Sequence, residues 1–265
     1  GAFSTFGGFS KLRLVKMDAA SGTVDNSFSP NPDGWVWVLR LDGNDLYVGG
    51  DFLNIAGHTY AHGVRLNKLT GVLDTTFAPN PTVAVDAIAV DASKVGLGGN
   101  FDKVAGQARL RLARVNKSDG SVDSFNPSAG GTVYVLESNG STMLIGGLLS
   151  SYGGYARNRV AKINASTGQV DPAFNADVPT LVLAVDVDAS GVYIGGDFTL
   201  VNGSPRTRVA KLDRATGALV GGFSCSPNNI VADVRLQGSW LYLGGAFTTV
   251  GSTRNNIARV NATSG

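Results

Sequence analysis

Apolar and polar residues alternate along WVWVLRLD (35–42), and the turn tetrapeptide DGND (42–45) leads at once into a second apolar run, LYVGGDF (46–52). A period of two under β-branched and aromatic residues predicts half-buried strands, and the short Gly/Asn/Asp turn between them predicts a hairpin. HGVRLN (62–67) and VLDTTF (72–77) read as third and fourth strands joined by the turn KLTG. A polar stretch, LNIAGHTYA (53–61), links the second strand to the third, and APNP (78–81) closes the unit. No window carries a convincing helical period.

The same phrases return. LYVGGDF is followed by VGLGGNF (95–101), MLIGGLL (143–149), VYIGGDF (192–198) and LYLGGAF (241–247), so the Gly-Gly pairs begin at Gly49, Gly98, Gly146, Gly195 and Gly244. A second phrase, Asx-x-x-Thr/Ser/Asp-Gly, ends at Gly22, Gly71, Gly120, Gly168, Gly217 and Gly265. The Asx side chain can accept from backbone two residues on, and the closing glycine suits the positive φ of a short hairpin loop. The paired glycines predict a crowded strand end where another backbone comes close.

An internal period near 49 residues decides the fold class. Units of four strands, each too small to bury a core alone, predict an all-β propeller of four-stranded blades; a β-solenoid is less suited to two tight hairpins per unit. The units fall near 1–34, 35–83, 84–131, 132–180, 181–229 and 230–265, within a single domain spanning 1–265. Five first strands favour five blades, with a piece of a six- or seven-bladed ring as the alternative.

VYIGGDFTLVNGSPRTRVAKLDRATG (192–217) shows most clearly that these units resemble the delta-sixty repeat family of bacterial β-propellers. Kelch and quinoprotein-type propeller repeats are more distantly similar. The resemblance covers nearly the whole chain and implies a bacterial extracellular or surface setting, in a binding or scaffolding role. Two departures stand out. Leu148 and Leu149 replace the Asp-Phe of the phrase, and Val220 stands where other units carry Asp25, Asp74, Asp123 and Asp171.

Charge changes the picture little. Charged residues make up 16% of the chain and the net charge is +2, too small for bulk electrostatic recognition of nucleic acid or a membrane surface. No apolar run is long enough to insert in a membrane as a helix, and no signal peptide opens the sequence. The one cysteine, Cys225, cannot form an internal disulfide. No phosphate loop, nucleophile elbow or metal-ligand cluster is present, so neither catalysis nor a cofactor is expected.

A residue repeated in every unit most simply does the same structural job in each. That applies to the basic column Lys11, Arg109, Arg157, Arg206 and Arg254, interrupted only by Tyr60, and to the aspartates Asp51 and Asp197 of the Gly-Gly phrase. Function is expected where units differ: on the face formed by the second-to-third-strand loops and the unit-to-unit loops. One column near the start of the first strand reads Trp37, Asp86, Tyr134, Leu183, Ala232, and Trp35 precedes it by two. Aromatic planes beside carboxylates could stack on a sugar; the competing expectation is that both tryptophans fill space between blades. His58, Tyr60 and His62 share one loop, which reads as a surface loop and not a metal site.

Trp35, Trp37, Asp86, Tyr134, His58 and Tyr60 are therefore the candidate ligand contacts of a non-enzymatic binding module, with a glycan or protein as partner. A purely structural spacer in a larger fibre or injection apparatus is the alternative. An enzyme using the propeller channel is a minor one.

Overall fold

The structure is a computed structural model describing all residues, Gly1–Gly265, as two compact units, Gly1–Asn126 and Pro127–Gly265. It is all β. Five antiparallel sheets of three strands recur, two in the first unit and three in the second. In the first unit these are Val36–Asp42, Asp45–Gly50 and Gly63–Asn67, then Val85–Val90, Lys94–Gly99 and Leu112–Asn116. In the second unit the first strands are Val133–Ser138, Val182–Asp188 and Val231–Gln237.

The four-stranded blade requires correction. The segment read as a fourth strand forms a single bridge, Leu66 to Leu73, repeated at Met17–Val24, Val115–Val122, Ile163–Val170 and Leu212–Leu219. Beyond this bridge Asp74 sets a local turn. Its N–H donates to the Arg65 carbonyl at 2.9 Å, and its Oδ1 then accepts from the Thr76 N–H at 2.9 Å and hydroxyl at 2.6 Å. This side-chain turn competes with the ladder in the units that carry the aspartate, and the unit with Val220 stops at the same single bridge without it. The other carboxyl oxygen pairs with Arg65, and Lys16–Asp25, Arg114–Asp123 and Lys162–Asp171 repeat the arrangement. Where Val220 replaces the aspartate, Lys211 turns instead to Ser190 Oγ at 3.1 Å and the Ala262 carbonyl at 3.3 Å.

The Gly-Gly phrase ends each second strand, as its composition predicts. A Cβ on Gly49 would press on Val38 and on Val85 of the following sheet, at 2.6 and 2.8 Å. One on Gly50 would fall on the carbonyl oxygen of Trp35, and one on Gly196 on that of Leu181. The phrase therefore brings strands of one sheet, and neighbouring sheets within a unit, closer than side chains permit. Its phenylalanines, Phe52, Phe101, Phe198 and Phe247, are fully buried, as are Phe28, Phe77, Phe125, Phe174 and Phe223 at the ends of the units. These rings anchor the cores.

The Asx hairpins also form as expected. Asn67 Oδ1 accepts from the N–H groups of Leu69 and Thr70 at 2.9 and 3.1 Å, and Gly71 has φ 73°. The second-to-third-strand loops are more regular than their sequences suggest. Each folds as a two-residue ribbon, such as Asn54–Ile55 against His58–Thr59 or Leu200–Val201 against Ser204–Pro205.

Candidate functional site

In every sheet the first strand breaks register at one residue near its start: between Val36 and Val38, Val85 and Ala87, Val133 and Val135, Val182 and Ala184, and Val231 and Asp233. The unpaired residues are Trp37, Asp86, Tyr134, Leu183 and Ala232. The variable column of the sequence is thus a column of β-bulges, where the ladder is locally broken and the side chain re-aimed. Constant valines hold the bulge, while the bulged residue itself is free to vary.

Within the first unit this geometry exposes two tryptophans. Trp35 and Trp37 are 45% and 50% exposed, so neither is a space-filling core ring. They meet edge to face, centroids 4.9 Å apart and planes at 76°, an orientation favoured by the ring quadrupoles. The Trp35 N–H donates to Asp51 Oδ1, and the Asp51 N–H donates to the Trp35 carbonyl at 3.0 Å. Gly34 permits this approach, since a Cβ there would meet Asp51 Oδ1 and the Phe52 backbone at 2.6 Å.

The next first strand carries Asp86 at the bulge. Burial, reinforced by the charge of Asp51, pushes its carboxyl up to about 6. Asp33 lies at the same end of the sheet, its carboxylate accepting from the N–H groups of Leu53 and Asn54 at 2.8 and 2.9 Å.

His62 overturns the surface-loop expectation. It is 9% exposed, takes φ 66°, and its Nδ1 has no hydrogen-bond partner. Burial holds the imidazole below its ordinary range, outweighing the Gly50 backbone and the charges of Asp51 and Asp33, which act the other way. The backbone explains the placement, because this position is left-handed in every unit. Arg13, Arg111, Arg159, Arg208 and Asn256 occupy it at φ 60–68°. Arg208 uses it to form an ion pair with Asp197, the counterpart of Asp51, at 2.5 Å, and Arg111 Nε donates to Asn100 at 3.3 Å.

Three other candidates sit elsewhere. Tyr60 is a structural substitute for the basic column: its hydroxyl donates to the Thr75 carbonyl at 2.9 Å. Its equivalents reach similar carbonyls, Lys11 to Phe28 at 2.9 Å, Arg109 to Asp123 at 2.5 Å and Arg157 to Pro172 at 3.3 Å. His58 is exposed on its ribbon and lines an open groove of about 420 Å³ with Ser27, Ser29 and Thr70. Tyr134 holds its bulge in the second unit and is half-buried. Sequence reading passed over Asp51 and His62 as site residues. The available signal was the column itself, in which one histidine stands among four arginines.

Cys225 is buried, and burial pushes its thiol up to about 12, which leaves little thiolate for nucleophilic chemistry.

Repeated three-stranded sheets with glycine-lined contacts define a β-propeller repeat protein. The chain belongs to the family described as "Domain of unknown function (DUF5122) beta-propeller", which matches residues 44–77, 94–125, 137–174, 191–219 and 239–265, more than half of its length. Among solved structures it is similar to the computationally designed Ika8 protein, at 12% identity and a TM-score of 0.57, covering 89% of this chain and 74% of that one. At this identity the likeness shows the fold alone. The designed Ika4 protein is also similar, at 13% identity and a TM-score of 0.45 over 68% of this chain and 92% of that one. No curated protein matches.

Proposed function

We propose that this chain is a non-enzymatic binding module whose ligand, a glycan or a protein partner, is held in the first unit at Trp35 and Trp37. One observation carries this reading: two tryptophans in contact are each about half exposed, Trp37 at the bulge and Trp35 just before its strand. Exposed aromatic pairs cost hydration and recur where binding energy is concentrated. Asp51 and Asp86 add polar groups that fix orientation. The finer family resemblance, to delta-sixty repeats, supports placing the module at a bacterial surface or in a secreted assembly.

A screen of immobilised glycans and peptides against the wild-type chain and Trp37→Ala tests the reading. Retention of a defined set by the wild type, lost in a variant that melts at the same temperature, is the expected outcome. Ligands retained equally by both would remove the site from these residues.

A further inference from the structure

The electrostatics of the tryptophan site single out its unit among the repeats. Where the Gly-Gly phrase supplies an aspartate in the second unit, Asp197, the left-handed position eleven residues later supplies its cation, Arg208. In the first unit Asp51 occurs without that arginine. His62 takes the position instead, buried, held toward its neutral form, with Nδ1 unpartnered. Asp86 adds a second carboxyl group beside Asp51, and Asp33 contributes its charge from the same end of the sheet. The repeat has lost its internal counter-charge where the two tryptophan rings are exposed.

From this juxtaposition we infer that the Trp35–Trp37 corner, with Asp51 and Asp86, binds an alkylated ammonium group of the choline kind. The inference rests on the reading of this site as a ligand site and names the chemistry it recognises. Ring faces carry the negative lobe of the quadrupole and attract cations, and two rings near a right angle can enclose one from two sides. A bare ammonium is strongly hydrated and needs several acceptors, whereas methyl groups spread the charge and are easily desolvated against tryptophan. The acidic groups and His62 do not converge as metal ligands. The chain already shows the interaction elsewhere: the Arg259 guanidinium carbon lies 4.1 Å from the centroid of Trp240.

Titration of the full chain with choline, followed by tryptophan fluorescence, tests the inference against 3,3-dimethylbutan-1-ol, the neutral isostere. Saturable quenching by choline, at least tenfold tighter than by the alcohol, is expected. It should weaken about tenfold in Asp51→Asn, which keeps an acceptor for the Trp35 N–H. His62→Arg is the sharper variant, because arginine already occupies this φ in four other units. It should fold, pair with Asp51, and abolish choline binding. Equal affinity for the alcohol, unchanged choline affinity in His62→Arg, or no saturable response would each overturn the ammonium assignment. Trp37-dependent retention of glucosamine oligomers without any response to choline would overturn it too, and would leave the binding-module reading standing.

Discussion

In residues 181–229, Arg208 sits at φ 66° and pairs with Asp197; in residues 35–83, His62 sits at the same φ of 66° and leaves its Nδ1 unpartnered near Asp51. The two stretches share the Gly-Gly strand end, the two-residue ribbon and the buried phenylalanine. What differs is whether the fold neutralises its own carboxylate. One unit is closed electrostatically, and the other is open toward two exposed tryptophans. In a repeat protein such a contrast is informative, because every neighbouring copy supplies a control for what the backbone alone requires.

The shared backbone is the first thing to break. Gly50→Ala and Gly196→Ala each place a Cβ on a carbonyl oxygen of the adjacent strand, so both units should lose about 3 kcal/mol or more. Gly221→Ala, with nothing within 4 Å and no positive φ, should be nearly silent. Gly57 is a poorer control despite its open surroundings, since its φ of 78° penalises any side chain. Chemical denaturation of the three variants checks the ranking. A silent Gly196→Ala would remove the close-approach explanation of the phrase.

The electrostatic half of the comparison is next. Asp86 titrates near 6 in the folded chain against an ordinary value of 3.8. A raised carboxyl pKa means that its contribution to stability is present below about pH 4 and is lost as the pH rises through about 6. His62, whose pKa is lowered, acts in the opposite sense, its contribution being lost as the pH falls. The difference between wild type and Asp86→Asn isolates the carboxyl group from His62, Asp51 and Asp33. Wild type should lose about 1–2 kcal/mol relative to Asp86→Asn between pH 4 and pH 7, allowing for partial exposure. Parallel stability curves for the two proteins would contradict the burial of this group.

A smaller effect is expected from making the closed unit resemble the open one. Arg208→His removes the partner of a carboxylate that is 44% exposed, so solvent screening limits the loss to about 1 kcal/mol. That loss should shrink in high salt. An unchanged melting curve at low salt would show that the ion pair contributes nothing and that the column is conformational only.

Much of this architecture was legible in the sequence because it is written several times. The Gly-Gly strand end and the Asx hairpin each depend on backbone geometry that few residues satisfy, so their chemistry could be read directly. The fourth strand was misread because VLDTTF has strand composition. Composition does not reveal the hydrogen bonds by which its aspartate turns the backbone, nor that the unit with Val220 stops at the same bridge. The bulge column was visible only as variability, since a bulge is a property of register between strands. His62 was misread for a related reason. A histidine among polar loop residues looks exposed until its position is matched with the arginines of the other units.

The smallest stability effect belongs to the most conspicuous side chain. Trp37→Ala removes a ring that is 50% exposed and contacts Trp35 at its edge, so the loss in stability should stay below about 1 kcal/mol. Phe77→Ala, in the same repeat and 1% exposed, removes a core ring and should cost about 3–5 kcal/mol. The pair separates the two explanations of the tryptophans. If Trp37 packed sheets together, its truncation would approach that of Phe77 and open a cavity. If it serves a ligand, the variant keeps its melting curve and loses about 2 kcal/mol of binding, as truncated aromatic anchors do. Thermal melts of both variants beside the choline titration read both quantities from the same preparations. A Trp37→Ala loss as large as that of Phe77→Ala would return the residue to the core.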